Sequence, residues 1–245
     1  MAIATSVIGM ENWLPKPAGA HGHVKIVGDH LEFADGTPAK FWGTNLCYGA
    51  ASPPQADADF TAARFAKYGV NCVRFHKFLE RGVADRNDWT KLAADGVGRM
   101  DYFAAALAKQ GVYYTFSPFF GFEVKPANKD RVLAYDEIVA SKGRFGNAYG
   151  LVNYAEDIQD LVAEMYKGLL THKNPTGSPH VAGNDHRLTA MFVYVGQGSV
   201  SGRKRSRGAL SVDKDFFRSA IDHVLLKLCD IVGDVVKDLH PELRP

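Results

Sequence analysis

Cysteine is scarce in this chain, and what there is of it is unpaired in pattern. Three residues, Cys47, Cys72 and Cys229, are spread over 245 positions, with no CxxC spacing. An odd and scattered set excludes a disulfide framework, a zinc ribbon and a dithiol redox motif, and reads as reduced thiols acting as small hydrophobes. A charge excess of either sign is also lacking. Lys and Arg number 29 against 27 Asp and Glu, a net +2, so nothing in the balance points to nucleic acid or a membrane surface. No apolar run approaches the length of a membrane span. The first ten residues lack a basic n-region and meet Glu11 at once, which predicts no signal peptide and, for the chain as it stands, a cytoplasmic place. Glycine-rich phosphate loops are missing as well, because Gly196-Gln197-Gly198 does not follow GxGxxG spacing.

What is present is ordinary globular composition, 46% hydrophobic and 23% charged, enough to bury a real core. Residues 24–33 alternate apolar and polar around Gly28-Asp29 and run to Asp35-Gly36, two hairpin signals that predict a β-ribbon. Strands and helices then alternate. Residues 41–46, 71–76, 112–117 and 188–195 read as near-continuous apolar strands. Residues 54–68, 100–110, 155–170 and most of 213–239 read as helices. Gly69 and Gly111 fit as helix C-caps, and a long loop is predicted from Pro118 to about 153. In the helix at 54–68 the apolar positions are Phe60, Ala63, Phe65 and Ala66. In the helix at 155–170, Ile158, Leu161, Val162, Met165 and Leu169 share one side. The order βαβαβαβα predicts a parallel sheet with right-handed crossovers, in an α/β fold of one domain over 1–245. Within it, 1–40 is the ribbon, 41–200 the βα units and 201–245 a divergent C-terminal helix.

Three phrases carry a resemblance: FADGTPAKFWGTNL at 33–46, FAKYGVNCVRFHKF at 65–78 and MDYFAAALAKQGVYYTFSP at 100–118. A fourth, YKGLLTHKNPTGSP at 166–179, fits the helix and loop before the fourth strand. In this order they resemble cellulase-like glycoside hydrolases of clan A, close to family 5, over about residues 18–200. The resemblance implies an incomplete (β/α) TIM-type barrel of about four βα units behind an N-terminal β-hairpin. It implies retaining hydrolysis of a β-linked glucan or mannan, with two carboxyls about 5–5.5 Å apart and no metal or organic cofactor. It makes Arg74 the strand-end arginine that orients a carboxylate and His76 a polar site residue two positions on. Asn45 and Ser117 are expected with them at the C-terminal ends of the strands, where barrel sites lie.

Two features depart from the family pattern. The family's general acid is a Glu after strand four, and here that position falls on Gln197, an amide that cannot donate a proton as a carboxylic acid does. The loss is worth about 10²–10⁴-fold. The alternative reading makes Gln197 an ordinary loop residue with the alignment shifted by a few positions. The strands that would bring the nucleophile are absent from this sequence. Beyond residue 200 the family pattern fades, as a truncated or rearranged gene would leave it. Glu80 and Glu123, just beyond the second and third strands, are surrogate carboxylates or solvated loop charges. Trp42, Trp89, Phe119, Phe120 and Phe122 are sugar-stacking rings or core, with Trp89 in its polar loop the best platform. His21-Gly22-His23 reads as a turn rather than a metal site, and Arg203–Arg207 as a solvated loop. Function then divides three ways: a hydrolase with residual or rebuilt activity on Glu123 or Glu80 with Arg74 and His76, a non-catalytic saccharide-binding pseudoenzyme, or a partner-binding or nonfunctional fragment. An open four-stranded piece leaves two sheet edges, which predicts homo-oligomers through those edges or a cover from the C-terminal helix.

Overall fold

The computed structural model describes residues 9–22, 24–141 and 146–175. The predicted fourth strand at 188–195, Gln197, the Arg203–Arg207 cluster, Cys229 and the helix at 213–239 lie outside the described residues. The described residues form two compact units: 9–22, 24–84, 93–119 and 173–175 make the first, and 85–92, 120–141 and 146–172 make the second.

The first unit opens with the ribbon. Strands β1 (Val24–Val27) and β2 (His30–Phe33) pair antiparallel, Val27 against His30. Gly28 sits between them at φ +60, the left-handed value that the first position of a II′-type hairpin requires. Then come β3 (Gly43–Cys47), α1 (Gln55–Lys67), β4 (Cys72–His76), α2 (Ala94–Lys109) and β5 (Tyr113–Ser117). Strands β3, β4 and β5 form one parallel sheet in that order. The molecule is thus a mixed α/β fold with a parallel sheet, and three of the four expected βα strands fall among the described residues.

Glycine sets both helix ends. The amides of Gly69 and Val70 bond to the carbonyls of Ala66 and Phe65, and those of Gly111 and Val112 to Ala108 and Leu107. Each is a Schellman closure, with φ +71 at Gly69 and +80 at Gly111. Helix α2 starts at Ala94, six residues before the predicted start. Gly96 and Gly98 disguise its first turns, yet Gly96 is there for packing: a Cβ on it would lie 1.8 Å from the Gly82 carbonyl oxygen. In α1 the buried residues are Ala58, Ala62 and Ala66, while Phe60 is exposed. Of the four expected apolar positions only Ala66 is buried, and the buried face of α1 is made of alanines.

Strand β4 also differs from the reading of a near-continuous apolar run, because its burial alternates. Val73 and Phe75 are buried, while Cys72, Arg74 and His76 on the opposite face are only half-buried. Phe75 stacks on Phe103 of α2 at 5.8 Å and on Tyr114 at 5.3 Å, so the helix-covered face is an aromatic layer. Burying rings such as Phe75 and Phe103 contributes about 1.5–3 kcal/mol each. The ribbon covers the N-terminal end of the sheet. Phe33 stacks on Tyr113 at 5.7 Å, and the Gly19 amide donates to the Tyr113 hydroxyl at 3.0 Å.

The second unit is built on α4 (Glu156–Thr171), whose Ile158, Leu161, Val162, Met165 and Leu169 are all buried, as their spacing predicts. The predicted long loop is not featureless: it carries a 3-10 turn, Pro126–Arg131, and a short helix, α3 (Tyr135–Ala140).

Candidate functional site

Parallel register decides what meets at the open end of the sheet. Asn45 pairs with Arg74 and Arg74 with Thr115; one step of two further on, Cys47 pairs with His76 and His76 with Ser117. Side chains of register partners share a face, and residues two apart share it too. Asn45, Cys47, Arg74, His76, Thr115 and Ser117 therefore line the sheet face opposite the aromatic layer, and the last of them stand at the C-terminal ends of the strands.

Ser117 is the centre of this group. Arg74 Nη2 donates to Ser117 Oγ at 2.8 Å, and His76 Nδ1 lies 2.8 Å from the same oxygen. A serine beside a histidine has the outline of an activated nucleophile, but Ser117 is 1% exposed. It cannot reach a ligand and acts as a strut that fixes the guanidinium and the imidazole. Burial pushes the His76 pKa down to about 4, and the positive charges of Arg74 and Lys77 push the same way. At neutral pH the imidazole is uncharged and carries one donor and one acceptor. Cys72, further down the same face, has its thiol pushed up to about 11 by burial. Cys47 and Cys72 are both free thiols.

The motif residues explain themselves structurally. Gly43 allows the close pairing of β3 with β4, since a Cβ on it would sit 3.1 Å from the Cys72 carbonyl oxygen. Asn71 ties the strand starts together: its Oδ1 accepts from the Trp42 amide at 2.7 Å and its Nδ2 donates to the Lys40 carbonyl at 2.8 Å.

The other sequence-expected residues are placed differently. Trp42 is 71% exposed, but it immediately precedes β3 and so stands at the N-terminal end of the sheet. Five residues of strand at about 3.3 Å each separate it from the cluster end at Cys47, and the structure does not bring it to the site. Trp89 is no platform: it is 5% exposed, edge-on to Phe122 at 5.9 Å, with Lys125 Nζ 4.9 Å from its ring centre. Its loop looked polar because Asp88, itself buried, gathers bonds from Thr90 and Asn128 within the second unit. Phe119 and Phe122 are buried too. Phe120 is half-exposed in the second unit and stacks on Tyr149 at 5.4 Å. Glu123 belongs to that unit as well and pairs with Lys125. Glu80 is exposed on the 3-10 turn Leu79–Arg81 that follows β4. Among the described residues no group of His, Cys, Asp and Glu is arranged to hold a metal ion, and no helix is long and apolar enough to cross a membrane.

One pair escaped the sequence reading. Tyr48 follows the end of β3 and Lys77 the end of β4, and each has φ +57. The Lys77 ammonium lies 5.5 Å from the centre of the Tyr48 ring. No sequence signal marks these positions, because left-handed backbone is normally announced by Gly, Asn or Asp.

No protein-family model matches the chain, and no curated protein matches it. Among solved structures it is similar to a glycoside hydrolase family 5 from Bacteroides vulgatus ATCC 8482, at 16% identity and a TM-score of 0.36. The match covers 63% of this chain and 32% of that one, so the aligned part spans about a third of that protein's length.

Proposed function

We propose that the C-terminal ends of β3, β4 and β5 form a saccharide-binding site of glycoside-hydrolase lineage, on an incomplete (β/α) barrel, and that its ligand is a β-linked glucan or mannan. The observation that carries this reading is the joint anchoring of Arg74 and His76 on buried Ser117, on the face that also holds Asn45. A sugar is neutral and crowded with hydroxyls that both donate and accept. A guanidinium, an uncharged imidazole and a primary amide together supply fixed donors and acceptors for such a surface. The order of the four sequence motifs supports the lineage, and strand C-terminal ends are where barrels bind their ligands.

Binding without cleavage is the favoured form. Retaining hydrolysis needs two carboxyls about 5–5.5 Å apart, and the side chains gathered with Ser117 are Arg74 and His76. A hydrolase is the second reading, favoured by one observation: Glu80 stands on the turn directly after the strand that carries Arg74 and His76.

Calorimetric titration with cellohexaose and mannohexaose, run beside reducing-end release from carboxymethyl-cellulose, glucan and mannan, separates these readings. We expect one of the oligosaccharides to bind, Arg74→Ala to weaken it by about tenfold or more, and no release above the blank. Release that Glu80→Gln abolishes would establish the hydrolase. A wild-type chain that binds neither sugar would overturn the saccharide reading.

A further inference from the structure

Three non-glycine residues in the described chain have left-handed backbone: Tyr48, Lys77 and Ala134. A Cβ makes that region costly, and residues held there persist only where the surroundings over-determine them. Two of the three are the first residues after adjacent parallel strands, at the same end of the sheet as Ser117. Lys77 is held by its own amide, which donates to the Ser117 carbonyl at 2.8 Å. This is the residue whose hydroxyl anchors Arg74 and His76. Tyr48 opens the 3-10 turn Tyr48–Ala51. If only a sharp strand exit were needed, glycine would serve at both positions without strain. Instead each keeps a long side chain, and the two side chains meet, ammonium against ring, at 5.5 Å. Tyr48 remains 38% exposed.

We infer that Tyr48 and Lys77 form a second wall of the strand-end site and contact the saccharide directly, Lys77 donating to ring hydroxyls and Tyr48 presenting its ring to a sugar C–H face. This rests on the saccharide reading of the Arg74–His76–Ser117 group. The ring and ammonium fix one another, so little freedom is left to lose when a ligand arrives, which favours affinity. The proximity of Lys77 to His76 also helps to keep that imidazole neutral.

The test uses glycine, which accepts this backbone and removes only the side chain. Lys77→Gly and Tyr48→Gly are titrated with cellohexaose and mannohexaose in the full chain, and their melting temperatures are recorded. We expect each variant to bind about tenfold or more weakly with an unchanged or raised melting temperature, and Lys77→Arg to restore most of the affinity. Unchanged affinity in both glycine variants, while Arg74→Ala loses binding, would overturn this inference and leave the saccharide reading standing. Lost binding together with a lowered melting temperature would also overturn it, because the side chains would then hold the fold and not the ligand. No binding by the wild-type chain would bring down both.

Discussion

His76 ties the site to pH at the scale of a single residue. Its pKa is lowered from 6.5 to about 4 in the folded chain. Between those values the unfolded chain takes up a proton that the folded one refuses, so the folded state loses stability as pH falls through that window and keeps it above. One proton sets an upper limit of about 1.4 kcal/mol per pH unit, and the half-exposed ring will show less. His30 works in the opposite sense, since Glu32 and Asp29 raise its pKa. Comparing His76→Gln with the wild type isolates the His76 contribution. Urea unfolding from pH 7 to pH 4 should show the wild type losing more stability than the variant, and parallel curves would contradict the burial argument. Arg74, His76 and Asn45 were named from the sequence through the resemblance of the first two motifs, and the parallel register puts them on one face. Tyr48 and Lys77 were not legible, since neither residue type announces a left-handed backbone. Trp89 misled for a physical reason: the charged and amide groups around it satisfy one another around Asp88, so a polar loop carries a buried ring.

At the scale of elements, two motif residues act on packing and can be tested without any ligand. Asn71 makes two side-chain hydrogen bonds to the backbone leading into β3. At about 0.5–1.5 kcal/mol net for each, Asn71→Ala should destabilise the chain by about 1–3 kcal/mol, read as a lower urea midpoint. Gly96→Ala puts a methyl group into the Gly82 carbonyl. Alanine would gain roughly 1 kcal/mol of helix propensity at this position, yet overpacking against backbone costs typically about 1–3 kcal/mol or more. We expect net destabilisation, and a raised melting temperature would show that the first turn of α2 moves away freely. The existence and order of β1 to β5, α1, α2 and α4 followed from periodicity, turn signals and glycine caps, while α3 lay in a predicted loop. The start of α2 did not, because a glycine chosen for close approach looks like a glycine chosen for a loop. The alanine face of α1 did not either, since burial there follows from how near the neighbour comes and not from hydrophobicity.

For the molecule as a whole, the sequence pattern is one run of βα units, whereas the described residues gather into two compact units. The division was not legible because residues 85–92 leave the first unit and join the second, a long-range choice made by the burial of Asp88, Trp89 and Thr90. Among the described residues of the first unit β3 is an outer strand of its sheet, and four of its five residues are exposed. An outer strand offers unpaired backbone groups, and natural edges are usually blunted by charge, proline or a bulge. The sequence of β3, GTNLC, has none of the first two. We propose that two copies of the chain pair through this edge. Thr44 is exposed on it, and a lysine there would put a charge on the edge of the kind that blunts edge pairing in natural sheets. Light scattering at micromolar concentration should then show a concentration-dependent dimer for the wild type and a monomer for Thr44→Lys, with the same circular dichroism. A wild-type monomer over that range would overturn the pairing proposal while the saccharide site kept its own tests.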